Sequence, residues 1–224
     1  MKRVLGTVIA GAALLLASRT FAEDAPSLRD LCPDRPGKGT PPCIVDAGHL
    51  QLEVAIVDWQ AQRAADVSSN SYDLGSIELR LGLTDTLEAE AAWTAYSHFR
   101  NKEDGLVSSG GVIIPMAVSL PDGFSLGVSP QVDGVPNASG HGRHAAYVAA
   151  VGLSHPIGPI SAGVELWGAI DDDPSGRTTQ ASLDLMAAFI PKTNANLQLD
   201  AGVNLGLTHD TPDVEIAVGV ARRF

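Results

Sequence analysis

The sequence predicts an all-β protein, a closed antiparallel up-and-down transmembrane β-barrel of about ten strands. Three observations lead to this prediction. From His49 onward, apolar residues alternate with small or polar ones in stretches of about ten residues. Gly, Pro, Asn and Asp separate these stretches, and short links alternate with longer polar ones. Lys and Arg are nearly absent from the strand interiors, with Arg80 as the main exception.

The composition of the 224-residue chain excludes several classes of protein. Hydrophobic residues make up 45% and charged residues 18%, which excludes a disordered tail and a charge-rich coiled coil. Lys and Arg number 15 against 26 Asp and Glu, a formal net charge of −11. This acidic balance argues against a nucleic-acid partner. We expect no cofactor and no metal, because the sequence lacks a convincing motif for either.

The first 22 residues have the pattern of a secretory signal peptide. Lys2 and Arg3 precede the apolar stretch Val8–Ala17, and Thr20-Phe21-Ala22 offers a small-residue cleavage site. An N-terminal membrane anchor is the alternative, but the apolar stretch is too short to span a bilayer. We therefore expect an exported mature chain that begins at Glu23.

Residues 23–48 form a predicted N-terminal segment outside the strands, on the periplasmic side or inside the barrel. Cys32 and Cys43 enclose a loop rich in Pro and Gly. In an oxidising compartment this pair predicts one disulfide, worth about 2–3 kcal/mol. A metal pair or a redox dithiol is disfavoured because no Cys-x-x-Cys spacing and no nearby histidine is present. The segment is expected either to occupy the lumen or to cap its periplasmic mouth.

Residues 49–224 form the predicted barrel. Strand lengths of about nine to eleven residues match a tilted crossing of a bilayer. An even number of strands places both chain ends on the same side of an antiparallel barrel. The alternation predicts strands near residues 50–56, 77–81, 87–94, 112–120, 124–131, 145–154, 160–170, 182–189, 197–205 and 214–223.

The links between these strands are predicted to be short at one end of the barrel and longer at the other. The end of the barrel with the short links would face the periplasm. Short links are predicted at Leu83–Thr86, Pro121–Gly123, His155–Gly158 and Pro191–Ala195. Longer links are predicted at Gln60–Asn70, Ser97–Gly110, Asp133–Arg143, Asp171–Arg177 and Thr208–Asp213.

Periodicity alone does not distinguish this barrel from a soluble β-protein that encloses its apolar face. The C-terminal strand ends at Phe224, and a terminal aromatic residue is typical of the strand that barrel-assembly machinery recognises. We therefore expect the outer membrane of a Gram-negative bacterium, with membrane lipid and that machinery as partners. A soluble periplasmic protein that binds an apolar ligand remains the alternative.

Aromatic residues partly fit two belts at the membrane boundaries. Tyr72, Tyr96 and Tyr147 fall near the loop ends of strands, whereas Phe124, Phe189 and Phe224 fall near the turn ends. Strict alternation places Trp59 and Trp167 on the polar face. Either a bulge redirects these two residues or they line the lumen.

The polar face of the barrel predicts a lumen that holds water, an ion-pair network or both. Its acidic lining would favour cations or neutral solutes over anions, which suggests a transporter or narrow channel for small solutes. A plugged structural barrel, ion-paired through its few arginines, is the alternative. The predicted lumen-lining residues are Glu53, Glu78, Arg80, Glu88, Glu90, Glu165, Asp184, Asp200, Asn204, Glu215 and Arg223.

The predicted outer loops contain residues that a hydrolytic or metal site would use. Serine, histidine and aspartate are present, but no Gly-x-Ser-x-Gly arrangement accompanies them. Two loop histidines without fixed geometry would bind a metal weakly. We therefore expect no enzyme. The residues concerned are Asp133, Ser139, His141, His144 and Asp210.

Several short motifs resemble the outer-membrane transporters called the MetA-pathway of phenol degradation family. The resemblance implies an outer-membrane barrel that passes small, often aromatic, compounds. Between Phe99 and Leu120 this chain lacks one hairpin of the family pattern, which implies a narrower lumen. The motifs are Leu31–Pro36 with Cys43, Gly48–Glu53, Leu79–Glu88, Gly140–His144, Leu197–Gly202, Pro212–Glu215 and Arg222–Phe224.

Overall fold

The structure, a computed structural model, describes residues 28–64, 67–98, 110–139 and 141–224. The predicted signal peptide, residues 1–22, lies outside the described residues, as does the start of the N-terminal segment. Among the described residues, no helix has the length and hydropathy needed to cross a bilayer.

The described residues fold into one antiparallel sheet of eleven strands. One 3₁₀ turn, Pro121–Gly123, lies between the fifth and sixth strands. The strands are β1 (Leu50–Ala64), β2 (Val67–Thr84), β3 (Leu87–His98), β4 (Gly110–Ile113), β5 (Met116–Ser119), β6 (Ser125–Pro136), β7 (Arg143–Ile157), β8 (Ile160–Asp171), β9 (Thr178–Phe189), β10 (Leu197–Gly206) and β11 (Val214–Arg223).

Strands β4 and β5 are two parts of one predicted strand. Both pair with β6, and the register is continuous from Gly110 opposite Gly134 to Met116 opposite Val128. Pro115 lies at the break and has no N–H to donate, so the ladder is interrupted there. With β4 and β5 counted as one strand, the eleven segments make ten strands, in agreement with the prediction of about ten.

The strands follow an up-and-down order in which the first strand pairs with the last. The sheet runs β3-β2-β1-β11-β10-β9-β8-β7-β6-β4, with β5 also on β6. Among the described residues no ladder joins β3 to β4 or β5. Most of the predicted link between them, and half of the region with the missing hairpin, lies in residues 99–109, outside the described residues.

The prediction of a long link at Gln60–Asn70 is wrong. Strand β1 continues to Ala64 and β2 begins at Val67, with Gln62 paired to Ser69 across the ladder. The ladder uses backbone groups, so a run of serines and amides extends it without the apolar alternation that marks the rest of the strand. Strand β6 likewise continues to Pro136, which shortens the predicted link at Asp133–Arg143.

The polarity of the sheet is inverted relative to a soluble protein. Among the described residues, the largest fully buried side chains are all polar: Arg80, Gln51, Glu53, Asp184 and Ser182. The opposite face exposes Leu, Ile and Val, and Leu199 is 47% exposed in the middle of β10. The predicted segregation of polar residues to one face and apolar residues to the other is therefore confirmed, with the polar face buried and the apolar face exposed.

A bulge in β1 explains one of the two anomalous tryptophans. The register with β11 shifts between Ala55 and Val57, so residues beyond the shift exchange faces. Trp59 consequently pairs with Ile216 on the outer face. Trp167, in contrast, is on the buried face, where the ammonium of Lys38 lies 4.6 Å from the centre of its ring.

Candidate functional site

Residues 28–48, which we call the inner segment, lie against the buried face of the sheet. Three glutamates on different strands accept hydrogen bonds from its backbone. Glu53 on β1 receives the N–H groups of residues 34 and 35, both at 3.2 Å. Glu165 on β8 receives those of residues 38 and 39, at 2.8 and 3.2 Å, and Glu88 on β3 receives that of residue 45 at 2.9 Å. One short segment contacts strands far apart in the sheet, so the sheet curves around it.

Side chains of the inner segment also pair with carboxylates on the buried face of the sheet, which we call the wall. The guanidinium of Arg35 donates from Nε and Nη2 to Asp200 Oδ1 at 3.2 and 3.0 Å. Lys38 Nζ lies 3.4 Å from Glu215 Oε2. The predicted disulfide between Cys32 and Cys43 is present and closes the loop that carries both cations. The segment thus brings positive charge to a wall that has little of its own.

Arg80 is the centre of the largest ionic cluster. Its guanidinium is fully buried and contacts four carboxylates at 2.7–3.2 Å. It also donates to the backbone carbonyls of Cys32 and Cys43, at 3.0 and 3.1 Å. One cation therefore joins both ends of the disulfide loop to the wall. The four carboxylates belong to Asp34, Glu53, Glu88 and Glu90.

A second arginine holds the two ends of the inner segment at the end of the sheet that carries Phe224. Arg223 Nη1 donates to Asp46 at 2.7 Å and to the carbonyl of Arg29 at 2.9 Å. Its Nε and Nη2 donate to Asn196 Oδ1. Arg29 itself pairs with Asp46 at 2.9 Å.

The predicted lumen-lining residues all fall on the same face of the sheet as the inner segment. Eight of the eleven lie in the contacts above, and Glu78, Asp184 and Asn204 share their face through the strand register. Most are buried or half-buried, but the side chain of Glu90 is 43% exposed. Whether these residues line a conducting lumen stays a prediction.

Sequence reasoning missed several members of this face. It did not assign Arg35 and Lys38 to it, although their positive charge in an otherwise acidic chain was a usable signal. It also missed Asp58 and Asp73, which lie opposite each other in the ladder between β1 and β2. The β1 bulge turns Asp58 inward, and local alternation gives no sign of that shift.

Two glycines allow the inner segment to approach the wall. A Cβ at position 39 would lie 2.7 Å from a carboxylate oxygen of Glu165 and 2.8 Å from the Cβ of Ala150. A Cβ at position 82 would collide with the backbone carbonyl oxygens of Val45 and Asp46. Both positions therefore require glycine for steric reasons.

The inner segment does not fill all of the space along the buried face of the sheet. A cavity of about 360 Å³ lies between its prolines and the small residues of β6, β7 and β8. Gly127, Ala150, Gly152 and Gly163 line the strand side, and Glu165 contributes a carboxylate. A second cavity of about 290 Å³ lies beside Arg35, Glu53 and Glu78. The first cavity is the larger opening alongside the segment.

Packing of the inner segment is expected to weaken as the pH rises. Burial raises the pKa of the Asp34 carboxyl from 3.8 to about 8, although Arg80 opposes the shift. Because the folded pKa is the higher one, this contribution to stability is complete below about pH 4 and is lost as the pH rises through about 8. Hydrogen exchange at residues 31–46 should therefore be faster at pH 9 than at pH 5, after correction for the intrinsic rate. Asp34→Asn should flatten this dependence, and an unchanged slope would contradict it.

The loop residues considered for catalysis do not assemble into a nucleophile and base among the described residues. His144 Nε2 lies 2.6 Å from Asp171, and its Nδ1 lies 3.0 Å from Asn137 Oδ1. Asp210 in another loop accepts from the backbone N–H of Thr179. His144 therefore joins the loop after β6 to the loop after β8. The side chains of Asp133 and His144 each bond to other partners than Ser139.

No protein-family model and no curated protein matches the chain. Solved structures that resemble it include two of Ail, the attachment invasion locus protein of Yersinia pestis, one in complex with the heparin analogue sucrose octasulfate. In each case the identity is 10%, the match covers 80% of this chain and 99% of that chain, and the TM-score is 0.25. A likeness of this size supports no conclusion about the function of this protein.

Proposed function

We propose that this protein is an outer-membrane β-barrel that acts as a narrow channel or transporter for small solutes. The inverted polarity of the sheet is the observation that carries the proposal. Apolar side chains on the outer face suit lipid, and buried charges enclosed with the inner segment suit a polar lumen. A soluble β-protein would place these two faces the other way round.

The strand order supports closure of the sheet into a barrel. It is a cyclic form of the chain order, since β1 pairs with β11 and, with β4 and β5 counted as one strand, every other pair joins neighbours in sequence. The remaining gap lies between β3 and β4, which are also neighbours in sequence. Pairing across that gap would remove both sheet edges, as a membrane-spanning sheet requires.

The exposed aromatic residues support the proposed orientation and partners. Phe189 and Phe224 are exposed near the short-turn end, and Tyr147 is exposed nearer the loop end. Phe224 closes the pairing of the terminal strand through backbone bonds with Leu50. We propose membrane lipid as the partner of the outer face and barrel-assembly machinery as the partner of the C-terminal strand.

The larger cavity defines the proposed route and solute class. Its wall of Gly, Ala and Ser is mostly apolar and carries Glu165 as a negative charge. These features favour small neutral or cationic solutes over anions. Aromatic compounds are included through the resemblance to the phenol-degradation transporters. The inner segment keeps the route narrow.

Single-channel recording in planar bilayers tests this proposal. We expect the purified protein to give small, cation-selective conductance steps. Ser154→Trp places a large ring on the wall of the larger cavity and should reduce the conductance several-fold. Leu166→Trp is the matched control, because Leu166 lies on the outer face and should leave the conductance unchanged.

The other outcomes assign the alternatives. Silence in bilayers together with heat-modifiable mobility in detergent gels would mean a plugged structural barrel. Recovery from the soluble periplasmic fraction would instead mean a soluble β-protein. Equal conductance of the wild type and Ser154→Trp would place the route elsewhere in the barrel.

A further inference from the structure

Five polar residues on neighbouring strands form a continuous row across the buried face. They are direct register partners from β1 through β11, β10 and β9 to β8. We call them the carboxylate row: Gln60, Glu215, Asn204, Asp184 and Glu165. Three of the five are acidic, so the row concentrates negative charge within the enclosed space.

The carboxylates at the two ends of the acidic stretch have partners. Glu215 accepts from Asn204 Nδ2 at 2.6 Å and from Gln60 Nε2 at 3.3 Å, and it pairs with Lys38. Glu165 accepts the two backbone N–H groups of the inner segment described above. Both groups are therefore stabilised by protein donors.

Asp184, between them, has no such partner. It is 0% exposed, and among the described residues only the hydroxyl of Ser182, on the same strand, lies near enough to interact with its carboxylate. That hydroxyl is buried and has no other partner there. A buried carboxyl with so few donors either binds a proton or takes a compensating positive charge.

The surrounding oxygens indicate the kind of ligand that this position would suit. Asn204 donates through Nδ2 to Glu215, and its other register neighbour is Asp184, so its amide oxygen is a second acceptor in this part of the row. Two acceptors next to each other require a positive charge or a donor between them. Lys38, the nearby protein cation, already contacts Glu215 and the ring of Trp167.

We propose that Asp184 binds a monovalent cation, an alkali ion or a primary ammonium, with Ser182 and Asn204 supplying neutral oxygens. One carboxylate with neutral oxygens suits a single positive charge, whereas divalent Ca²⁺ takes six to eight oxygen ligands, usually including several carboxylates. The inference rests on the enclosed polar interior of the proposed function. It does not require that the interior conducts.

Crystals soaked in thallium(I) test the site directly, because Tl⁺ replaces K⁺ and scatters anomalously. We expect an anomalous peak at bonding distance from the Asp184 carboxylate in the wild type. Asp184→Asn should remove the peak, since the amide supplies its own donor and no charge. Asp172→Asn, in an exposed loop, is the matched control and should retain the peak. No wild-type peak, or a peak that persists in Asp184→Asn, would overturn the proposal.

Thermal unfolding in detergent separates the two sources of the cation. At constant ionic strength, K⁺ or methylammonium should raise the Tm of the wild type relative to N-methylglucamine. Whichever of the two raises the Tm shows whether the site takes an alkali ion or a primary ammonium. Ser182→Ala should weaken this effect and Asp184→Asn should abolish it. A Tl⁺ peak in a protein that shows no conductance in bilayers would contradict the proposed channel and leave the cation site intact. Conductance in bilayers without an anomalous Tl⁺ peak would contradict the cation site and leave the proposed channel intact.

Discussion

Arg80→Ala is expected to lower the free energy of unfolding by about 3–5 kcal/mol, the usual cost of removing one partner of a buried ion pair. The guanidinium is fully buried and is shared by Asp34, Glu53, Glu88 and Glu90. Its removal leaves these carboxylates facing one another without a cation. It also removes the donors to both carbonyls of the disulfide loop.

Denaturant unfolding in lipid vesicles measures this loss. Arg177→Ala is the matched control, because Arg177 pairs with Asp172 in a loop where its side chain is 61% exposed. An exposed pair of this kind contributes about 0–1 kcal/mol. If the two variants unfold at the same denaturant concentration, the carboxylates around Arg80 are solvated and the inner segment is not held by this cluster.

Leu185→Arg is expected to destabilise the folded protein in a bilayer by about 2–4 kcal/mol, the cost of a cation on the lipid face near the midplane. Leu185 lies in the middle of β9, between Val164 and Val203, and is 48% exposed on the outer face. In water, a cation at so exposed a position would cost little, because surface substitutions usually change stability by less than about 0.5 kcal/mol.

Reversible unfolding from bilayers, with His209→Arg as control, measures this effect. His209 lies in the loop after β10, and its side chain is 82% exposed, so an added charge there should be neutral. A neutral Leu185→Arg would mean that the outer face meets water, and the proposed membrane location would then be wrong.

The two substitutions examine opposite faces of the same sheet, and together they separate the roles of the two faces. Loss of stability from both would support an outer face in lipid and an interior held by ion pairs. Loss from Arg80→Ala alone would support an ion-paired interior within a soluble protein. The inner segment is common to both cases, since its contacts lie on the buried face.

The strand content and the polarity of each face could be predicted because both are local properties. Alternation with a period of two assigned Leu199 and Ile216 to one face and Asp200 and Glu215 to the other. The same rule misplaced Trp59, because the shift between Ala55 and Val57 reverses the faces beyond it. It also missed the end of the first hairpin, where polar residues continue the ladder.

By itself, the sequence determined the antiparallel strands, the apolar outer face and the disulfide between Cys32 and Cys43. Each depends on the spacing of residues close together in the chain. Only the tertiary structure decided that the inner segment lies against the buried face of the sheet and that Arg35 meets Asp200, 165 positions away. The physical reason is that a buried charge takes its partner from whichever strand the register and curvature bring beside it. Local periodicity contains no information about which distant residue that will be.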